Sequence, residues 1–162
     1  RLISGSFDLW LPGGNAVGSQ TRFFSPTADT TLTIPSTARS AITVGAYDPR
    51  LSSYASFSGR GYTRILHEIK PDLAAPGVNI PAPRSGGGYA SFTGTSFATP
   101  FVSGSAALMM EWGILRGNDP FLYGEKLKAY LIAGAKPIAS ESEYPNRRGG
   151  WGRLCLESSL PD

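Results

Sequence analysis

Ser96 stands in Gly94-Thr95-Ser96-Phe97-Ala98-Thr99-Pro100, between a short β-type run, Tyr89-Ala90-Ser91-Phe92, and a stretch, residues 96–115, with apolar or small side chains on nearly every face. A serine hydroxyl is a weak nucleophile until its oxygen is held exposed, its proton is taken by a base and the resulting oxyanion is stabilised. The segment supplies the first requirement and part of the third. Gly94 lets the backbone approach a ligand closely, and Thr95 is a natural cap. Ser96 then falls at a helix N-terminus, where free N–H groups and the positive end of the dipole favour negative charge. That is half of an acyl-transfer site. A Thr-Ser pair that merely caps a buried helix looks the same over two residues, so the longer pattern has to decide.

Other candidates are few. His67 is the only histidine, and with Asp72 it would nominally complete a Ser-His-Asp set, since such sets are recognised by geometry rather than chain order. Asn15, in Gly13-Gly14-Asn15, is a candidate oxyanion donor and equally an ordinary turn residue. Cys155 is the only cysteine, which excludes an internal disulfide and a multi-cysteine metal site. Flanked by Leu154 and Leu156, it reads as a small buried hydrophobe rather than a reactive thiol. No metal or cofactor is expected.

A serine at the head of an apolar helix needs a sheet beneath that helix. The near-continuous apolar run Ala41-Ile42-Thr43-Val44-Gly45-Ala46-Tyr47, ended by Asp48-Pro49, suits a strand buried on both faces, as in a parallel sheet. Further β-type runs are residues 2–11, 30–34 and 89–92. The central, buried helix starts close to Ser96, with Pro100 near its first turn, where a missing N–H costs little. A second helix is expected to open at Asp119-Pro120, an acidic cap followed by proline, and to run towards Gly134 with Lys126 and Lys128 facing solvent. The polar, Gly/Arg-rich segment 141–152 reads as an exposed loop.

Composition sets the outer bounds. The chain has 162 residues, 41% hydrophobic and 17% charged, with 20 Gly and 13 Pro, which describes turn-rich globular material rather than a coiled coil or a disordered tail. The net charge of +3 is small, and Arg147-Arg148, the one tight basic pair, has no basic run around it, so nucleic acid is not an expected partner. No stretch approaches the roughly 20 apolar residues that span a bilayer, so no membrane span is expected. The start, Arg1-Leu2-Ile3-Ser4-Gly5, has neither an initiator Met nor the layout of a signal peptide, and reads as a point within a longer chain.

The run from Gly94 to Pro100, continued by Val102, Gly104, Ala106 and Ala107, resembles the signature around the catalytic serine of the subtilisin-like serine proteases, the subtilases. Two further stretches follow the family's order: residues 41–46 with Tyr54-Ala55-Ser56-Phe57-Ser58-Gly59-Arg60-Gly61, and Lys70-Pro71-Asp72-Leu73-Ala74-Ala75-Pro76-Gly77. More narrowly, Phe7-Asp8-Leu9-Trp10-Leu11-Pro12, Thr21-Arg22-Phe23-Phe24-Ser25-Pro26 and residues 29–35 resemble the clostridial spore germination proteases, subtilases with a jelly-roll domain inserted in the protease domain.

The resemblance implies an α/β fold, part of a subtilisin-like parallel sheet flanked by helices. Residues 1–12 would end an inserted jelly-roll domain, and 13–162 would form the C-terminal part of the catalytic domain. Ser96 would be the nucleophile of a serine endopeptidase acting on protein or peptide substrates, with Thr93, Gly94 and Thr95 bordering the pocket for the substrate residue before the scissile bond. Subtilases place their aspartate, histidine and oxyanion asparagine upstream. His67, Asp72 and Asn15 therefore match no catalytic position, Asp72 matches a structural aspartate, and the N-terminal part of the same protease becomes the expected partner. The competing readings are a fragment of a catalytically inactive relative that acts by binding, and a free-standing non-enzymatic module. The family also implies a bacterial protein, secreted or spore-associated.

Overall fold

The computed structural model describes residues 5, 7–12, 16–64 and 67–160. Its centre is the apolar run already read as a strand, β1 (Val44–Asp48). The two-residue strand β2 (Ser53–Tyr54) pairs with its end antiparallel, and β3 (Leu73–Pro76) pairs along it in parallel, Val44 opposite Leu73 and Tyr47 opposite Pro76. Successive side chains on a strand point to opposite faces, and both faces here are covered. Ala46, Leu73 and Ala75 join the cluster containing Ala98, Val102 and Met109, while Tyr47 and Ala74 pack with Ile138. That double burial is why the run is continuously apolar instead of alternating.

Strand β3 leads through Gly77 into a hairpin of β4 (Ile80–Pro83) and β5 (Tyr89–Phe92), which feeds helix α1 (Thr95–Met110). A π-helical turn, Glu111–Leu115, continues α1 and is followed by α2 (Gly124–Ala133) and the short α3 (Leu156–Ser159). The expected α/β arrangement is present, with a parallel strand pair flanked by helices and α1 buried along Ala98, Val102, Ser105 and Met109. The rest of α1 is just as apolar but uncovered: Phe101, Leu108 and Met110 are 42%, 55% and 38% exposed.

Several expectations need correction. Gly94, not Thr95, is the cap residue of α1, and Thr95 is already helical. Pro100 lies inside the helix, so the Ser96 carbonyl receives no bond from position 100. Helix α2 opens five residues after Asp119, because Asp119 closes a turn of its own: its carbonyl accepts from the Leu122 N–H and its Oδ1 from the Phe121 N–H. Lys128 does not face solvent but reaches Asp72 at 2.8 Å. Residues 30–34 form no strand, and the N–H groups of Thr30 and Thr31 bond instead to the carbonyls of Gly61 and Arg60. Described residues 5 and 7–11 form none either, and residues 2–4 and 6 of that run are outside the described set.

The segment 141–152 is anchored rather than exposed throughout. Gly150, at φ 60°, lies so close to Pro71 that a Cβ would stand 2.1 Å from its carbonyl oxygen, and Arg147 pairs with Asp29. Cys155 is half-buried at the cap of α3, where the Ser158 hydroxyl and N–H lower its thiol pKa by hydrogen bonding to the thiolate.

Candidate active site

The head of α1 is fixed from three sides. The Gly94 N–H donates to the Gly77 carbonyl at 2.8 Å, and the Gly77 N–H donates to the Tyr47 carbonyl at 3.0 Å. The start of the helix is thereby tied to the carboxyl ends of β1 and β3, the edge of an open α/β sheet where ligands bind. Gly77 permits that approach, because a Cβ there would stand 2.6 Å from the Ala46 Cβ and 3.1 Å from the Gly94 oxygen. From the hairpin, the Asn79 N–H donates to Thr93 Oγ1 at 3.0 Å. Phe92 of β5 stacks on Phe97 of α1 with ring centroids 5.0 Å apart.

These anchors hold Ser96, exposed, at the second residue of α1, directly after Thr93, Gly94 and Thr95 in the chain. The first N–H groups of a helix have no intrahelical acceptor, so the Ser96 N–H is free to face negative charge developing beside Ser96 Oγ. An exposed hydroxyl and a free helix N-terminal N–H are thus side by side, the two groups an acyl-transfer site would need from this segment.

No base is bonded to Ser96 among the described residues. His67 is exposed, and no hydrogen bond joins it to Ser96 or Asp72 among the described residues. Asp72 is committed elsewhere, 3% exposed beneath α2. Its Oδ2 accepts from Lys70 Nζ and the Thr43 N–H, each at 2.7 Å, and its Oδ1 pairs with Lys128 Nζ. Burial lowers the Lys70 pKa despite the opposing pull of Asp72. The structural role expected for Asp72 matches this setting. Asn15 lies outside the described residues. Among the described residues no group of His, Cys, Asp or Glu is placed to hold a metal, and no helix is long and apolar enough to cross a membrane. Gly77 and Asn79 also position the site, and no local sequence signal marks either for that role: the contact of Gly77 with Gly94 spans 17 residues of chain.

Comparison with known proteins gives the site a context. The model of the subtilase family matches residues 13–152. Serine protease AprX of Bacillus subtilis is 34% identical over 151 residues, covering 81% of this chain and 32% of that protein. Subtilisin Savinase of Lederbergia lenta is 40% identical over 113 residues, 70% of this chain and 37% of that protein. The CspB protease of Clostridium perfringens superposes with a TM-score of 0.81 at 48% identity, covering 86% of this chain and 29% of that one. The chain thus spans roughly a third of the length of these relatives. The clostridial resemblance read from the sequence is met by CspB.

Proposed function

The chain belongs to the subtilase family, and on that premise we propose that it is the serine-bearing part of a serine endopeptidase whose aspartate, histidine and oxyanion asparagine come from sequence outside these 162 residues. The observation that carries this reading is Ser96, exposed at the second residue of α1 with its own N–H beside it and no base bonded to it among the described residues. The uncovered apolar flank of α1, with Phe101, Leu108 and Met110, supports the presence of further protease domain against it.

In the reaction, Ser96 Oγ attacks the scissile carbonyl carbon as its proton passes to the histidine. The oxyanion is held by the Ser96 N–H together with the asparagine. Collapse of the tetrahedral intermediate returns the proton to the departing amine and leaves an acyl-enzyme on Ser96, which water hydrolyses by the same steps. Thr93, Gly94 and Thr95 border the pocket for the residue whose carbonyl is attacked. Residues 1–12 are the end of an inserted jelly-roll domain and 13–162 the C-terminal part of the catalytic domain, in keeping with the likeness to CspB. The similarity to bacterial proteases supports a bacterial protein, secreted or spore-associated. These 162 residues alone are expected to be inactive.

A histidine base must be neutral to accept the serine proton. For the full-length protein, kcat/KM on a peptide is therefore expected to rise about tenfold per pH unit below the histidine pKa and to level off above about pH 7. A rate flat from pH 5 to 8 would refute a histidine-activated serine.

A further inference from the structure

Between Asp72 and Glu111 the sequence holds a single charged residue, Arg84, and this is the stretch that contains Ser96 and everything that positions it. Arg84 sits at the tip of the β4–β5 hairpin, whose second strand runs straight into Thr93 and the nucleophile. The tip is closed by the Arg84 N–H donating to the Gly88 carbonyl at 3.1 Å and the Gly87 N–H donating to the Arg84 carbonyl at 3.2 Å. Gly86, Gly87 and Gly88 make the turn possible with φ of 83°, 95° and 74°.

The arginine itself is anchored, not free. Its Nε donates to the Gly87 carbonyl at 2.9 Å, which fixes the guanidinium while the two Nη groups make no hydrogen bond among the described residues. Strand β5 pairs only with β4 among the described residues, which leaves its other edge without a backbone partner among them. Tyr89 on it is 76% exposed. An unpaired edge leading to a nucleophile is a template for an extended peptide.

We propose that the substrate lies extended along β5 and that Arg84 selects an acidic side chain some distance from the scissile bond. This rests on the serine endopeptidase reading and adds the substrate class to it. With a strand rise of about 3.3 Å per residue, tip and nucleophile are separated by roughly 20 Å of extended chain, or about six substrate residues. Within residues 73–110 Arg84 is the one charge that such a segment could meet, and an acidic residue is its complement.

The test uses full-length protein and fluorogenic peptides with Asp or Lys placed in turn at positions four to eight residues from the cleaved bond, on either side. Wild type is expected to favour Asp over Lys at one of these positions by about threefold to fivefold in kcat/KM at low salt, the scale of an exposed ion pair, and the ratio should approach one in molar salt. In Arg84→Glu the same ratio is expected to invert; being taken within one variant, it is independent of how much active protein the variant yields. A wild-type ratio near one at every position overturns the proposal, whatever the variant does. So does an acidic preference that survives Arg84→Glu unchanged. Absence of turnover on every peptide would overturn the endopeptidase reading as well, which separates the two failures.

Discussion

Ser96→Ala is expected to remove peptide-bond hydrolysis by the full-length protein, lowering kcat by roughly 10⁶-fold, the cost of deleting the nucleophile from a serine-protease triad. The loss should be chemical and not structural. The Ser96 side chain is exposed and makes no hydrogen bond among the described residues, and substitutions at such sites usually change stability by no more than about 0.5 kcal/mol. Alanine also keeps the N–H expected to serve the oxyanion. What remains should be the weak catalysis of a binding site with an oxyanion hole. Steady-state rates and thermal melting, measured side by side, check both halves. Turnover undiminished in the variant would refute the assignment.

The largest stability effect is expected at Asp72. Asp72→Ala leaves Lys70, 1% exposed, and Lys128 facing each other with no anion between them, and removes the acceptor of the Thr43 N–H. Breaking a buried pair by deleting one partner costs about 3–5 kcal/mol, read as a fall in the urea midpoint at unchanged slope. Asp72→Leu combined with Lys70→Met should recover part of the loss, because only Lys128 then lacks its carboxylate, and it keeps the carbonyls of Arg39 and Ala41 as acceptors. The linkage has a definite sign. Lys70 already has a pKa lowered by burial, and Asp72 opposes that lowering. Between the lowered value and 10.5 the native state binds fewer protons than the unfolded one, so the contribution of Lys70 makes stability rise with pH. Without Asp72 the window widens, and the variant should regain more stability on alkaline titration than wild type does. An Asp72→Ala variant as stable as wild type would show the network to be dispensable.

How much of this was legible in the sequence depends on how local each feature is. The placing of Ser96 at the head of a buried helix was, because cap, serine and helix are contiguous from Gly94 onward. So were β1 and β5, set by short apolar runs between turn residues. The fold beneath them was reached through the family resemblance and the apolar run at 41–47. The start of α2 was misread because Asp119-Pro120 is a sound cap in isolation, and nothing near it reveals the turn that Asp119 closes or its 2.6 Å pair with Lys126. The fate of Lys128 was hidden for the same reason: its carboxylate partner lies 56 residues away. The segment 141–152 looked like a free loop because glycine marks both turns and tight contacts, and only the fold shows that Gly150 is pressed against Pro71. Cys155 between leucines suggested burial, but the start of α3 turns it half outward.

Residues outside this chain are expected to activate Ser96. An activated serine displaces fluoride from a fluorophosphonate and keeps the phosphonyl group, whereas an unactivated one does not react. Native full-length protein treated with such a reagent and digested with trypsin should carry the adduct in the peptide 85–116, localised by fragmentation to Ser96, and protein denatured before treatment should carry none. Full-length protein that hydrolyses peptides while Ser96 stays unmodified, or that takes the label at another serine, would contradict the account.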